Sequence, residues 1–166
     1  MPEAEVNFVR QQGFEDATAR TCDVRYPALM FQPRVIGVLA LIGILLQAPW
    51  LFLGLSAVLW WNVVVPALNP FDRVYGALIG ARKGPSLPPA PAPRRFAQGM
   101  AATFTLAIGA GLLAGWTTLA WVLQAMLLLA LGALVFGRFC LGSYLFFVMT
   151  GRSAFARQTL PWSRRA

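Results

Sequence analysis

Two long apolar stretches, residues 35–68 and 96–150, dominate the chain, and polar residues are confined to short clusters around them. One helix needs about 20 apolar residues to cross a bilayer, so each stretch is long enough for more than one crossing. The first stretch is interrupted by Gln47-Ala48-Pro49-Trp50. Pro49 lacks an amide hydrogen and disfavours helix in the residue before it, and Trp50 suits a membrane–water boundary. This predicts spans over about 32–48 and 50–68, with Pro33 in the opening turn of the first. The second stretch is interrupted by Ala114-Gly115-Trp116-Thr117, which predicts spans over about 97–115 and 117–137. Residues 139–149 are apolar on almost every face. They either prolong the last span or lie along the interface.

Between the stretches, Asn69-Pro70-Phe71-Asp72 forms a helix start: a capping side chain, a proline for the first turn and an acid at the positive end of the dipole. Phe71, Val74, Tyr75, Leu78 and Ile79 follow at helical spacing, with Asp72, Arg73, Arg82 and Lys83 on or near the other side. A helix over about 70–82 is too short to span, so it is expected in the headgroup plane, with the apolar set toward lipid or bundle and the basic set toward anionic headgroups. Gly84 ends it, and the prolines of residues 84–95 make a stiff linker. Residues 1–31 read as a polar cytoplasmic arm, with Phe8, Val9 and Phe14 too sparse for a core of their own. Residues 151–166 read as a basic cytoplasmic tail.

Composition agrees with the pattern. Hydrophobic residues make up 58% of the chain and charged residues 12%, against roughly 45–50% and ~25% in soluble domains. The formal net charge is +8, yet no charge lies within residues 35–71 or 96–137. A nucleic-acid face needs its basic residues spread over a folded surface, so this clustering argues against nucleic acid. Neither hairpin turn carries a charge, whereas Arg73, Arg82, Lys83, Arg94 and Arg95 lie in the middle loop and Arg138, Arg152, Arg157, Arg164 and Arg165 follow the last span. The positive-inside rule then places both ends in the cytoplasm. The expected architecture is an all-α membrane protein: four transmembrane helices as two hairpins, spanning residues 32–150, with a short interfacial helix in the central cytoplasmic loop.

Candidate chemistry is sparse. There is no histidine, and no Asp or Glu falls in a predicted span. Imidazole ligation and the carboxylate relays of many pumps are therefore not available, and no cofactor is implied. Ala107, Gly111 and Gly115 recur every four residues, a stripe that suits close helix packing within the bundle or, alternatively, a homodimer face. Gln47, Asn62 and Gln124 suit interhelical hydrogen bonds. Cys140 follows Arg138, and a nearby cation favours a thiolate. The reading preferred over a reactive thiol is that Arg138 anchors the helix end and Cys140 fills apolar space.

These residues also carry a resemblance. Asn69-Pro70 with its amphipathic sequel, Pro93-Arg94-Arg95-Phe96-Ala97-Gln98-Gly99, and Gly137-Arg138-Phe139-Cys140-Leu141-Gly142 resemble a bacterial integral-membrane family known as domain of unknown function 4395, over roughly residues 31–152. The resemblance implies the same four-helix bundle and supplies no reaction. The family commonly shows Cys-Leu-Gly-Cys, whose paired thiols suggest redox or metal chemistry. Ser143 stands at the second position here, and a hydroxyl completes neither a disulfide nor a soft-metal site. The expectation is a multi-pass protein of the bacterial inner membrane, not an enzyme, serving as an accessory or scaffold subunit beside a membrane partner or a second copy. A small oligomeric carrier or channel, or a thiol-redox protein using Cys140, are the alternatives; the carrier would need a polar lining, for which Gln47, Asn62, Thr103, Thr105 and Gln124 offer little.

Overall fold

A computed structural model describes residues 2–78 and 88–163, apart from the side chains of residues 19 and 20. All regular elements among them are helical: α1 (Glu3–Gln11), α2 (Ala19–Leu46), α3 (Pro49–Val64), α4 (Pro70–Leu78), α5 (Ala92–Leu113), α6 (Thr117–Val135), α7 (Leu141–Met149) and α8 (Ser153–Gln158), with a 3₁₀ turn at Pro66–Leu68. Thr21–Leu46, Ala92–Leu113 and Thr117–Val135 are long and apolar enough to cross a membrane, which suggests a membrane protein. Their flanks support this, because Leu45, Val122, Met126 and Leu129 are exposed without polar cover. The fourth long helix, α3, has 16 residues, or about 24 Å at the helical rise, and falls short of a full ~30 Å hydrocarbon core.

The bundle has two dissimilar ends. At one end, α2 turns into α3 through Gln47 in the left-handed region, whose backbone N–H reaches back to the last turn. The α5–α6 turn runs through Gly115, also at positive φ. At the opposite, capped end lie α1, α4, α7, α8 and the ends of the long helices. The tightest helix pair is α3 on α5, where Ser56 Oγ donates to the Ala102 carbonyl at 2.8 Å and Leu53 lies against Gly109. Phe52, Ile108 and Leu127 form a core toward these turns, and Ile36, Leu59 and Ala102 form one nearer the cap.

Three predicted boundaries are corrected. The first long helix does not begin near residue 32 but at Ala19. Thr18 caps it, its hydroxyl taking the Thr21 N–H while the Thr21 hydroxyl takes the Thr18 N–H. Pro27 and Pro33 sit inside this helix. They are tolerated because Leu29 and Met30, on the turns between them, are buried, and packing outweighs the missing backbone bonds. Next, α5 begins at Ala92, so the linker ends five residues before the predicted span. Pro91 flanks it and Pro93 lies in the first turn, where amide hydrogens have no intrahelical partner. Residues 84–87 of that linker lie outside the described residues. Finally, residues 139–149 do not prolong α6. Arg138 at φ 52° breaks the chain direction, and α7 starts anew to pack against α5.

The N-terminal arm also departs from its expected role. Phe8, Val9 and Phe14 are buried together with Cys22, Leu29, Met30 and Cys140 in one apolar cluster, so the arm folds on its own chain. Three apolar residues were too few alone. They become a core once α2 extends beneath them and α7 begins beside them. The C-terminal segment joins the cap as well: Asn7 Nδ2 donates to the carbonyls of Leu160 and Ser163, at 3.1 and 3.0 Å. Arg138 pairs with Glu5 at 3.3 Å, and Arg152 forms a two-pronged pair with Glu15 at 2.6 and 2.9 Å.

Two predictions follow from this packing. A Cβ on Gly142 would lie 2.7 Å from both Cα and Cβ of Ala97, so α7 meets α5 at backbone distance. Gly142→Val should push the helices apart and destabilise the protein by about 1–3 kcal/mol, read from thermal unfolding in detergent. The hydrogen bond from Arg152, together with its charge and that of Arg10, outweighs desolvation and holds the Glu15 carboxyl below its ordinary value of 4.5. Its contribution to docking the arm is thus complete above that value and is lost as pH falls through the lowered one. Both partners are half-exposed, so salt should weaken the contact too. Limited proteolysis after Gly13 should accelerate on acidification, and Arg152→Gln should abolish the acceleration.

Candidate functional site

The capped end contains a buried polar cluster drawn from three helices and the turn before α4. Arg94, in the first turn of α5, is only 4% exposed. An unpaired guanidinium cannot be held at such depth, and Asp72 on α4 supplies the charge, with contacts of 3.0 and 2.8 Å. Asp72 was expected on the outer, polar side of its helix. It faces inward instead, because Arg94 needs it. Gln32 on α2 completes the cluster: its Oε1 accepts from Arg94 Nη2 at 2.9 Å, Gln98 Nε2 at 3.0 Å and Asn69 Nδ2 at 3.2 Å.

The donors settle how each amide lies. Arginine only donates, so Gln32 must turn its oxygen toward Arg94. Gln98 must then turn its NH₂ to the same oxygen, which leaves Gln98 Oε1 facing away, buried and without a partner. Asn69 is fixed independently, since its Oδ1 accepts the Phe71 N–H at 3.0 Å as the cap of α4. Beside the cluster, Arg95 Nε donates to the Val63 carbonyl at the end of α3. The Asn69-Pro70 and Pro93–Gly99 signatures thus supply the polar lock that ties α2, α4 and α5 together.

Cys140 lies nearby, 6% exposed. Its N–H donates to Gln11 Oε1 at 2.7 Å, and its Sγ is 3.3 Å from Ser143 Oγ, which also lies 3.4 Å from the Pro93 carbonyl. Arg138 directs its guanidinium to Glu5 and to Tyr26 Oη. Its charge is thus matched by an acid. Cys22 and Cys140 are both buried and not joined in a disulfide. Among the described residues no three His, Cys, Asp or Glu side chains gather in a way that would hold a metal ion.

The other candidates are dispersed. Gly111 packs against Ala120 of α6, Gly115 forms the α5–α6 turn, and Ala107 is half-buried. Within α5 it is Ala102, Thr105 and Gly109 that are buried near α3. Gln47 Nε2 donates to Gln124 Oε1 at 3.2 Å, bridging α2 and α6 as expected of interhelical amides. Asn62 is fully buried with neither amide atom paired. Thr105 bonds carbonyls of its own helix, and Thr103 is exposed. On α4, Tyr75 is buried against the Phe31 ring and Phe71 is half-buried, while Arg73, Val74 and Leu78 are exposed. Ile79, Arg82 and Lys83 lie outside the described residues.

Between α2, α5, α6 and the start of α7 lies a cavity of about 190 Å³. Its walls are apolar, with Ile36, Leu59, Phe104, Leu127 and Leu131 among them. The polar lining consists of Gln12 and the mutually bonded Gln32, Arg94 and Gln98, and Cys140 also borders the space. Sequence reading missed this site. Gln12 looked like part of a solvated arm, and Arg94 and Gln98 looked like a loop and the start of a span.

Arg94→Met should leave the partly buried Asp72 without a counter-charge and cost about 3 kcal/mol, measured by chemical unfolding in detergent. Adding Asp72→Leu should recover most of that loss, because the pair, once removed whole, no longer strands a charge.

A family model described as Domain of unknown function (DUF4395) matches residues 25–150, well over half of the chain. The match includes the α4 start, the Arg94–Gln98 turn and Cys140, and excludes α1 and α8. Neither a curated protein nor a solved structure matches the chain.

Proposed function

The chain belongs to the DUF4395 family, and we propose that it is a non-catalytic membrane protein acting as an accessory or scaffold subunit, with α2, α3, α5 and α6 crossing the bilayer as two hairpins. One observation carries the reading: three arginines are taken up in ion pairs that tie the molecule's own elements together. Arg94 is matched by Asp72, Arg138 by Glu5 and Arg152 by Glu15, each pair joining segments distant in sequence. Such a cap is suited to holding terminal helices rigidly at one membrane face, where a partner within the membrane or a second copy can rest on them.

The orientation follows from charge. The paired and unpaired arginines gather at the capped end, and both hairpin turns are uncharged, so that end lies in the cytoplasm of a bacterial inner membrane. Its exposed basic residues, Arg73 among them, then meet anionic headgroups. The 16 residues of α3 are accommodated by local thinning and by Trp60 and Trp61 near one end and Trp50 at the other, all exposed at belt-like positions.

A reporter inserted at Pro89 should be cytoplasmic, and one inserted at Ala48 extracytoplasmic. Crosslinking in native membranes should trap the chain in a discrete adduct with another membrane protein or a second copy. A reversed reporter pattern refutes the topology, and a chain that stays monomeric in native membranes refutes the scaffold role.

A further inference from the structure

We propose that the cavity between α2, α5, α6 and α7 is a binding site for a neutral, single-chain lipid with a hydroxyl head, of the monoacylglycerol class. The polar end presents two complementary vacancies. Gln98 Oε1 is buried and needs a donor, and Gln12 Nε2 is buried and needs an acceptor; both residues are 6% exposed and both line the cavity. The unmet need of Gln98 is forced, since Arg94 dictates how Gln32 lies and Gln32 dictates how Gln98 lies. A hydroxyl donates one hydrogen bond and accepts another, and a monoacylglycerol head carries two hydroxyls, one for each residue. A buried polar group left unpaired costs about 1–3 kcal/mol, and satisfying it drives occupancy.

Charge selects against an anionic head. Arg94 is the basic residue at the cavity, and Asp72 already neutralises it through two contacts. A phosphate or carboxylate would have to compete with that pair. The rest of the lining is apolar, and Met126 and Leu141 combine cavity lining with exposure, so the chain enters from the lipid-facing side past them. Size limits the ligand further. At about 190 Å³ the cavity is smaller than the roughly 300–1,000 Å³ of pockets that enclose drug-sized molecules. It takes the head and the first part of one chain, and the remainder lies among bilayer lipids. Met100 and Met126 give the wall adaptable surfaces for such a chain.

The inference rests on the membrane-embedded reading above, and the test separates the two. The full chain in nanodiscs is exposed to a monoacylglycerol carrying a diazirine near the head end of its chain, and crosslinked residues are mapped. Enrichment at Leu127, Leu131 or Phe104 over the outward residues Val122 and Leu129 is expected. Gln98→Leu should reduce the cavity label at least tenfold and leave the outward label unchanged. Ala130→Phe, which fills the cavity from α6, should do the same and guards against misfolding of the first variant. An excess of unlabelled monoacylglycerol should compete; the methyl ester of the same acid, which cannot donate, and the anionic lysophosphatidylglycerol should compete poorly. Label on outward residues alone overturns the cavity proposal while upholding membrane embedding. Competition by the anionic lipid as strong as by the monoacylglycerol overturns the neutral-head assignment, and no label anywhere overturns the embedded reading itself.

Discussion

The burial of Arg94 is the constraint from which the capped end is built. A guanidinium carries five donors and a permanent charge, and at 4% exposure water cannot satisfy them. Asp72 must therefore face inward, which sets the rotation of α4 about its axis. That rotation brings Tyr75 onto Phe31 and Phe71 onto the Ile36–Leu59–Ala102 core. Gln32 must offer its oxygen, which sets the register of α2 against α5. Thus one side chain couples elements that the sequence separates by an apolar hairpin. A buried ion pair is weak evidence of net stability but a strong determinant of arrangement, because alternative packings strand a charge.

The two ends of the bundle solve different problems. At the end with the two turns the chain needs only to reverse direction, and backbone conformation at Gln47 and Gly115 does this, with the Gln47–Gln124 bridge linking the end of α2 to α6. At the capped end several short helices must be held without a large core of their own. Ion pairs, aromatic contacts and backbone bonds from side chains do that. Arg152 lies over the Phe147 and Phe155 rings while binding Glu15, and Arg10 also lies over Phe155. Each contact is modest where exposed, and their number converging on α8 compensates.

Against this background the unpaired buried atoms stand out. Native proteins leave few such groups, and each invites an explanation. Those of Gln12 and Gln98 border the same cavity, at the point where the polar lock gives way to the apolar interior. The lock thus does more than hold helices. By fixing the Gln98 amide it presents a polar edge to a space otherwise suited to hydrocarbon.

The sequence by itself determined that the chain is helical and apolar, where the long helices turn, and where its charges cluster. These depend on local properties: span length, proline and glycine chemistry, and the confinement of charge. The helix start at Asn69-Pro70 was legible for the same reason, since its cap lies within two residues. Only the tertiary structure decided that α2 begins at Ala19, that α1 packs on α2 and meets Cys140 just before α7, and that Asp72 faces inward. Each of these depends on partners far away in the chain. Phe8 and Val9 are unremarkable until Met30 and Cys140 lie beside them, and an Arg94–Asp72 pair cannot be read from residues 22 positions apart with a loop between. The cavity was the least legible of all. A void is defined by where several helices fail to touch, and that depends on the packing of every side chain around it.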